Sequence, residues 1–139
     1  MFVIDTNVAS ELMRTEPTAA VAAWIAGHDA QDMYLTAVSE AELLYGVAIL
    51  PAGKRRNALE AAMTRWLNLG FRERILPFDS AAARAYAEIA AERRHAGRPI
   101  GEADCRIAAI SRARGATLVT RNVRDFDGTG LDVIDPWSG

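Results

Sequence analysis

Two rhythms of apolar and polar positions alternate along this chain. Short β-type runs stand at Phe2-Val3-Ile4, Met33-Tyr34-Leu35-Thr36, Arg74-Ile75-Leu76, Thr117-Leu118-Val119-Thr120 and Leu131-Asp132-Val133-Ile134. The segments between them carry helical spacing and helix punctuation. Thr6-Asn7 offers N-cap chemistry for a helix through Ala9, Leu12 and Met13. Pro17 opens a second helix, from Thr18 to about Ala26, with Gly27 as its stop. Ser39 and Glu42 have capping-box spacing ahead of the apolar run Leu43 to Leu50. Leu59, Ala62, Met63, Trp66 and Leu67 stripe a helix from Lys54 to about Leu69, with Gly70 as its cap. Asp79-Ser80 begins a helix with Ala82, Ala85, Tyr86 and Ile89 on one face, ending near Gly97. A last helix runs from Gly101 to Arg114 and closes at Gly115.

Strands separated by helices predict an α/β fold with a mainly parallel sheet and helices on both faces. Ligands of such sheets sit outside the carboxyl ends of the strands. That rule directs attention to Asp5, Thr36 and Thr120-Arg121-Asn122, which follow three of the strands. The chain has 139 residues, half of them hydrophobic and 24% charged, so one domain over residues 1–139 with its own core is expected. The single cysteine, Cys105, forms no intrachain disulfide, which fits a reducing compartment. The start, Met1-Phe2-Val3-Ile4-Asp5, has no basic region and no long apolar run. A cytoplasmic protein without secretory signal or membrane span is expected.

A net charge of −2 is not that of a protein held to nucleic acid by a uniform basic field. Lys54 is the only lysine among 16 basic residues, a bias explained mostly by GC-rich coding. No GxGxxG follows the first strand and no GxxxxGK[ST] occurs, which removes most nucleotide-cofactor enzymes. His28 and His95 lack metal-ligand spacing, and no GxSxG elbow is present. Cys105 stands beside Asp104, whose charge raises a thiol pKa, so it reads as a small packed residue.

The acids remain. Asp5 closes an apolar strand, where an N-cap is the plain alternative. Glu42 has apolar neighbours on two sides of its helix, Tyr45 and Ile49 on one and Leu43, Val47 and Leu50 on the other, so a buried carboxylate is expected. Asp104 lies in the first turn of a helix whose Ala103, Ile107, Ala108 and Ile110 face a core, and a dipole-favoured acid is its plain alternative. Asp125 sits in the loop Asn122-Val123-Arg124-Asp125-Phe126, where an Asx turn is the alternative. Carboxylates gathered at one edge repel each other, and a hard divalent cation with oxygen ligands, Mg²⁺ or Mn²⁺, resolves the repulsion. The chemistry implied is metal-assisted attack of water on a phosphodiester.

These residues resemble one family. Ile4-Asp5-Thr6-Asn7, Ala41-Glu42-Leu43 with Tyr45-Gly46, Ala103-Asp104, and Leu118-Val119-Thr120-Arg121-Asn122 with Asp125-Phe126 resemble the PIN-domain ribonucleases, in order and spacing over nearly the whole chain. More narrowly, the chain is similar to the VapC toxins of type II toxin–antitoxin pairs, in the FitB-like branch, as is its closing Asp135-Pro136-Trp137. The resemblance implies a PIN-like three-layer α/β/α sandwich and a magnesium-dependent endoribonuclease. It implies a homodimer that joins a small DNA-binding antitoxin, VapB- or FitA-like, in a heterotetramer or larger. It carries the catalytic positions to Asp5, Glu42 and Asp104, with Asp5 and Asp104 as metal ligands. The fourth position falls on Asp125 or on Asn122, where many relatives place an aspartate. Thr6, Asn7 and Thr120 match positions that orient acids and water. Arg121 and Arg124 are either RNA phosphate contacts or a solvated loop, and Glu40 and Glu102 are expected to face solvent.

Two rivals stand beside this reading. A non-catalytic subunit would act with its antitoxin on promoter DNA, but the intact set of acids argues for an enzyme. A haloacid-dehalogenase-like phosphatase also begins with a strand and an Asp, but it needs an acid where this chain has Asn7.

Overall fold

The computed structural model describes residues 1–138. Five strands, β1 (Phe2–Ile4), β2 (Met33–Thr36), β3 (Ile75–Leu76), β4 (Thr117–Val119) and β5 (Val133–Ile134), form one parallel sheet in the order β3-β2-β1-β4-β5. Six helices connect them: α1 (Thr6–Leu12), α2 (Ala19–Ala26), α3 (Ala37–Ala48), α4 (Lys54–Gly70), α5 (Ser80–His95) and α6 (Glu102–Ala113). The chain steps outward from β1 to β3, then returns to the other side of β1 for β4 and β5. With right-handed crossovers, this reversal puts α1 to α4 on one face and α5 and α6 on the other. It also makes the β1/β4 boundary the switch point, where loops diverge and leave a binding edge.

Side chains of a strand point alternately to opposite faces, and the core divides accordingly. Val3 and Leu118 pack with Ala82, Ile89, Ile107 and Ile110, under α5 and α6. Their sequence neighbours Ile4 and Val119 pack with Val8, Val21, Leu43, Met63 and Leu67, under α1 to α4. The α/β/α sandwich expected from the sequence is therefore present. Complete burial of a side chain such as Ile89 or Leu118 contributes roughly 1.5–3 kcal/mol. Ala82, Ala85, Cys105, Ala108 and Ala109 keep the α5–α6 contact thin. Cys105 is buried there, and burial raises its thiol pKa, not the neighbouring Asp104.

Several local expectations need correction. The cap of α3 is Thr36, whose hydroxyl accepts from the Ser39 amide at 3.1 Å; Ser39 and Glu42 form no capping box. The strand β2 runs straight into its helix, so the residue ending the strand is already placed to cap. The helix α4 continues through Gly70 and ends at Phe71. Of the apolar residues striping α4 and α5, Met63, Leu67 and Ile89 are core residues. Trp66 and Tyr86 are half-buried against the two clusters, and Leu59 is exposed.

Candidate functional site

The end of β1 places the first acid. Asp5 itself, and not Thr6 or Asn7, is the N-cap of α1: its Oδ1 accepts from the Thr6 amide at 2.8 Å. Its Oδ2 accepts from Thr120 Oγ1 at 2.7 Å and from Asn7 Nδ2 at 3.2 Å. Thr120 stands one residue past β4, so this bond spans the switch point. Asp5 is 4% exposed. Burial pushes its pKa above the usual carboxylate range, and the charge of Glu42 adds to that, against the pull of the three donors. Thr120 Oγ1 also accepts from Asn7 Nδ2 at 3.3 Å and from the Asn122 amide at 3.1 Å, while Asn7 Oδ1 accepts from the Arg121 amide at 3.3 Å. Thr6, Asn7 and Thr120 thus meet around Asp5, and the Asn122 backbone joins them.

Glu42 is exposed, contrary to the buried carboxylate expected from its helix. Only one face of α3 is buried, that of Ser39, Leu43 and Val47. The second apolar face is in solvent, with Tyr45 66% and Ile49 63% exposed. Glu42 nevertheless points to the switch point, since its Oε1 lies 2.8 Å from Thr6 Oγ1. Thr6 Oγ1 is also 2.8 Å from Ser39 Oγ. One hydroxyl proton serves one acceptor, so a relay from Ser39 through Thr6 to Glu42 satisfies both contacts. Glu102 is exposed as expected, and Glu40 is half-buried.

Asp104 comes from the opposite layer, in the first turn of α6, and is half-buried. Its pKa is raised to about 6, first by burial and then by the charges of Asp5, Asp125 and Glu42. Asp104 thus feels the charges of three acids that stand up to 120 positions apart in sequence and meet at a single edge. Asp125 is exposed in a one-turn 3₁₀ helix, Val123–Phe126, that leaves β4, and Asn122 is its exposed N-cap residue. Among the described residues, none of the ion pairs engages these four acids. Nor do three acidic, histidine or cysteine side chains there close around a common point. The acids form an open edge of oxygen donors with uncompensated charge. Such a set suits a hard divalent cation that keeps part of its water shell.

A profile of the PIN domain matches residues 2–130. The chain belongs to the PIN-domain family. It is 43% identical over 137 residues to the VapC ribonuclease Y4jK of Sinorhizobium fredii, covering 99% of this chain and 98% of that one. It is 38% identical over 137 residues to Toxin FitB of Neisseria gonorrhoeae, covering 99% of both. The solved structure of FitAB bound to an IR36 DNA fragment superposes with a TM-score of 0.91 at 38% identity, over 99% of this chain and 96% of that one. The VapC and FitB relatives place this PIN domain in the branch that its motifs resemble. PIN-domain ribonucleases depend on a divalent metal ion.

Two features of this PIN domain were not anticipated from the sequence. Arg93 is buried, and it donates to three main-chain carbonyls, Arg98 O at 2.7 Å, Asp125 O at 2.8 Å and Asp127 O at 2.9 Å. The signal was present, because Arg93 extends the buried stripe Ala82, Ala85, Ile89 by one helical step. Arg121 lies over the ring of Trp137, 4.9 Å from its centroid, which joins a residue beside the acids to the end of the chain. Among the described residues, no helix is long and apolar enough to cross a membrane.

Proposed function

We propose that this protein is the toxin of a type II toxin–antitoxin pair, a Mg²⁺-dependent endoribonuclease that hydrolyses RNA phosphodiester bonds. The observation that carries the reading is the convergence of Asp5, Glu42, Asp104 and Asp125 on the switch point, close enough for Asp104 to feel the other three, with none of them in an ion pair among the described residues. Asp5 and Asp104 are the metal ligands in this reading. A bound divalent cation supplies Lewis-acid stabilisation of the phosphate and favours ionisation of the attacking water. The residues do the rest. Thr120, Asn7 and the Thr6 amide fix both oxygens of Asp5, so that its orientation costs nothing at the moment of reaction. Glu42, exposed and hydrogen-bonded by Thr6, is placed to accept a proton from water. Asp125 orients that water from the other side. Arg121, stacked on Trp137, and Arg124 contact phosphates of the RNA.

The ordinary setting of this chemistry is the cytoplasm, with a cognate VapB- or FitA-like antitoxin that binds DNA. We further propose a homodimer that joins the antitoxin as a heterotetramer or larger. Tyr45 on α3, Ile49 at its C-terminal cap, and Leu59 and Leu69 on α4, all exposed, offer apolar surface for such assembly. The DNA held by the FitAB relative favours a second reading, a non-catalytic subunit acting with its antitoxin on promoter DNA. One experiment separates them. Purified free protein should cleave RNA with Mg²⁺ and lose all cleavage in EDTA. Protein that never cleaves, yet sharpens antitoxin binding to operator DNA, would establish the second reading.

A further inference from the structure

We propose that Arg93 is a positioning residue for Asp125, holding the turn that presents this acid to the reaction centre. The inference rests on the ribonuclease reading above, in which Asp125 orients the attacking water. A buried guanidinium is costly unless its donors are satisfied, and Arg93 is 8% exposed. It spends its donors on backbone oxygens, bridging Arg98 in the loop after α5 to Asp125 and Asp127 in the turn after β4.

The turn needs such a partner. Its bonds to its flanks are Asp125 N to Asn122 O at 3.0 Å, Asp127 N to Arg124 O at 3.2 Å and Thr129 N to Phe126 O at 3.4 Å. The carbonyls of Asp125 and Asp127 receive no bond from the turn's own amides. Thr129 Oγ1 donates to Phe126 O at 2.6 Å, and Arg93 serves the other two. The ion pair of Arg98 with Asp127, 3.7 Å apart and more than half exposed, adds little to this. The buried Phe126 anchors the turn from one side and Arg93 from another, leaving the Asp125 side chain free in solvent on a fixed backbone. Asp5 gains its orientation from direct hydrogen bonds to its carboxylate; Asp125 gains it through its main chain.

The test uses the full chain and Arg93→Lys, which keeps the buried charge and the apolar stem but lacks the planar fork that reaches several carbonyls at once. Amide hydrogen exchange is measured on metal-free protein, and cleavage kinetics with Mg²⁺ and a fixed RNA. The expected result is exchange of the 122–127 amides raised by about tenfold or more, with protection of α5 and α6 retained. The kcat falls by about tenfold with KM nearly unchanged, as for other groups that orient a reactive residue. Adding Asp125→Asn to Arg93→Lys costs no more than Asp125→Asn alone, because both act through one carboxylate. Unchanged exchange in the turn overturns the proposal. So do costs that multiply in the double variant, an effect confined to KM, or loss of protection throughout α5 and α6, which would make Arg93 an anchor of the whole fold. A wild-type protein that cleaves no RNA overturns the ribonuclease reading instead, and the exchange result still decides whether Arg93 holds the turn.

Discussion

Asp5 and Asp125 occupy opposite extremes within one acidic edge. Asp5 is buried, follows a central strand directly, and has both oxygens fixed by Thr6, Asn7 and Thr120. Asp125 is exposed and rides on a short turn six residues beyond its strand, steadied only through its backbone. Asp104 lies between them, half-buried and sensitive to both. The contrast separates two tasks. A rigid, dehydrated carboxylate suits constant binding of a cation, whereas an exposed one suits water and substrate that arrive and leave.

The largest effect should follow loss of a proposed metal ligand. Asp104→Asn is expected to fold and to lose about 10³-fold or more in Mg²⁺-dependent cleavage, since metal stabilisation amounts to several kcal/mol. Initial-rate assays on a labelled RNA check this, and wild-type rates in that variant would remove Asp104 from the centre. The same residue gives a pH signature. Its folded pKa is raised to about 6 from an ordinary 3.8, so the folded state holds the proton more tightly. Metal-free stability should therefore fall as pH rises from about 4 to 6. Asp104→Asn should flatten that slope in thermal melts and raise Tm at neutral pH.

Effects at the exposed half should be smaller. Asp125→Asn is expected to lower kcat about 10–100-fold with metal affinity little changed, and Asn122→Ala to do less. A magnesium titration of cleavage distinguishes them. An Asn122→Ala enzyme more impaired than Asp125→Asn would move the fourth position to Asn122. The two halves should also differ in stability. Thr120→Val removes a buried donor to Asp5 and an acceptor used by Asn7 and by the Asn122 amide, so it should cost about 1–3 kcal/mol in denaturant unfolding, while Asp125→Asn leaves the midpoint in place. The mildest change is expected for Trp137→Ala. Freeing Arg121 from its ring should raise KM by a few-fold, with kcat retained.

Much of the fold was legible because each layer repeats one simple pattern. The strand residues Val3 and Ile4, or Leu118 and Val119, serve opposite faces, and the helices between strands start at a glycine or a polar residue, Asp5, Thr18, Thr36, Gly53, Asp79 or Gly101. Asp5 and Asp104 were legible as polar residues at apolar boundaries. Glu42 does stand beside Thr6 at the end of β1, but its expected burial was a misreading. Its apolar neighbours Tyr45 and Ile49 face solvent, and periodicity cannot distinguish a core face from a surface one. The Thr36 cap was missed because Ser39 and Glu42 had the spacing of a capping box, while the end of β2 decided where α3 began. Arg93 was hidden by its type. A buried arginine bonded to carbonyls depends on segments at 98 and 125–127 that no local pattern brings together.

The central claim is that these acids form one metal-dependent cleavage centre. The most direct test is to titrate Mg²⁺ into metal-free wild-type and Asp104→Asn protein, reading RNA cleavage and Tm on the same samples. The wild type should be inactive without metal and should gain cleavage and Tm together, with about 2.7 kcal/mol of stabilisation at one hundred times its dissociation constant. Asp104→Asn should begin with the higher Tm and gain neither. Cleavage that persists without metal, or equal responses from both proteins, would contradict the account.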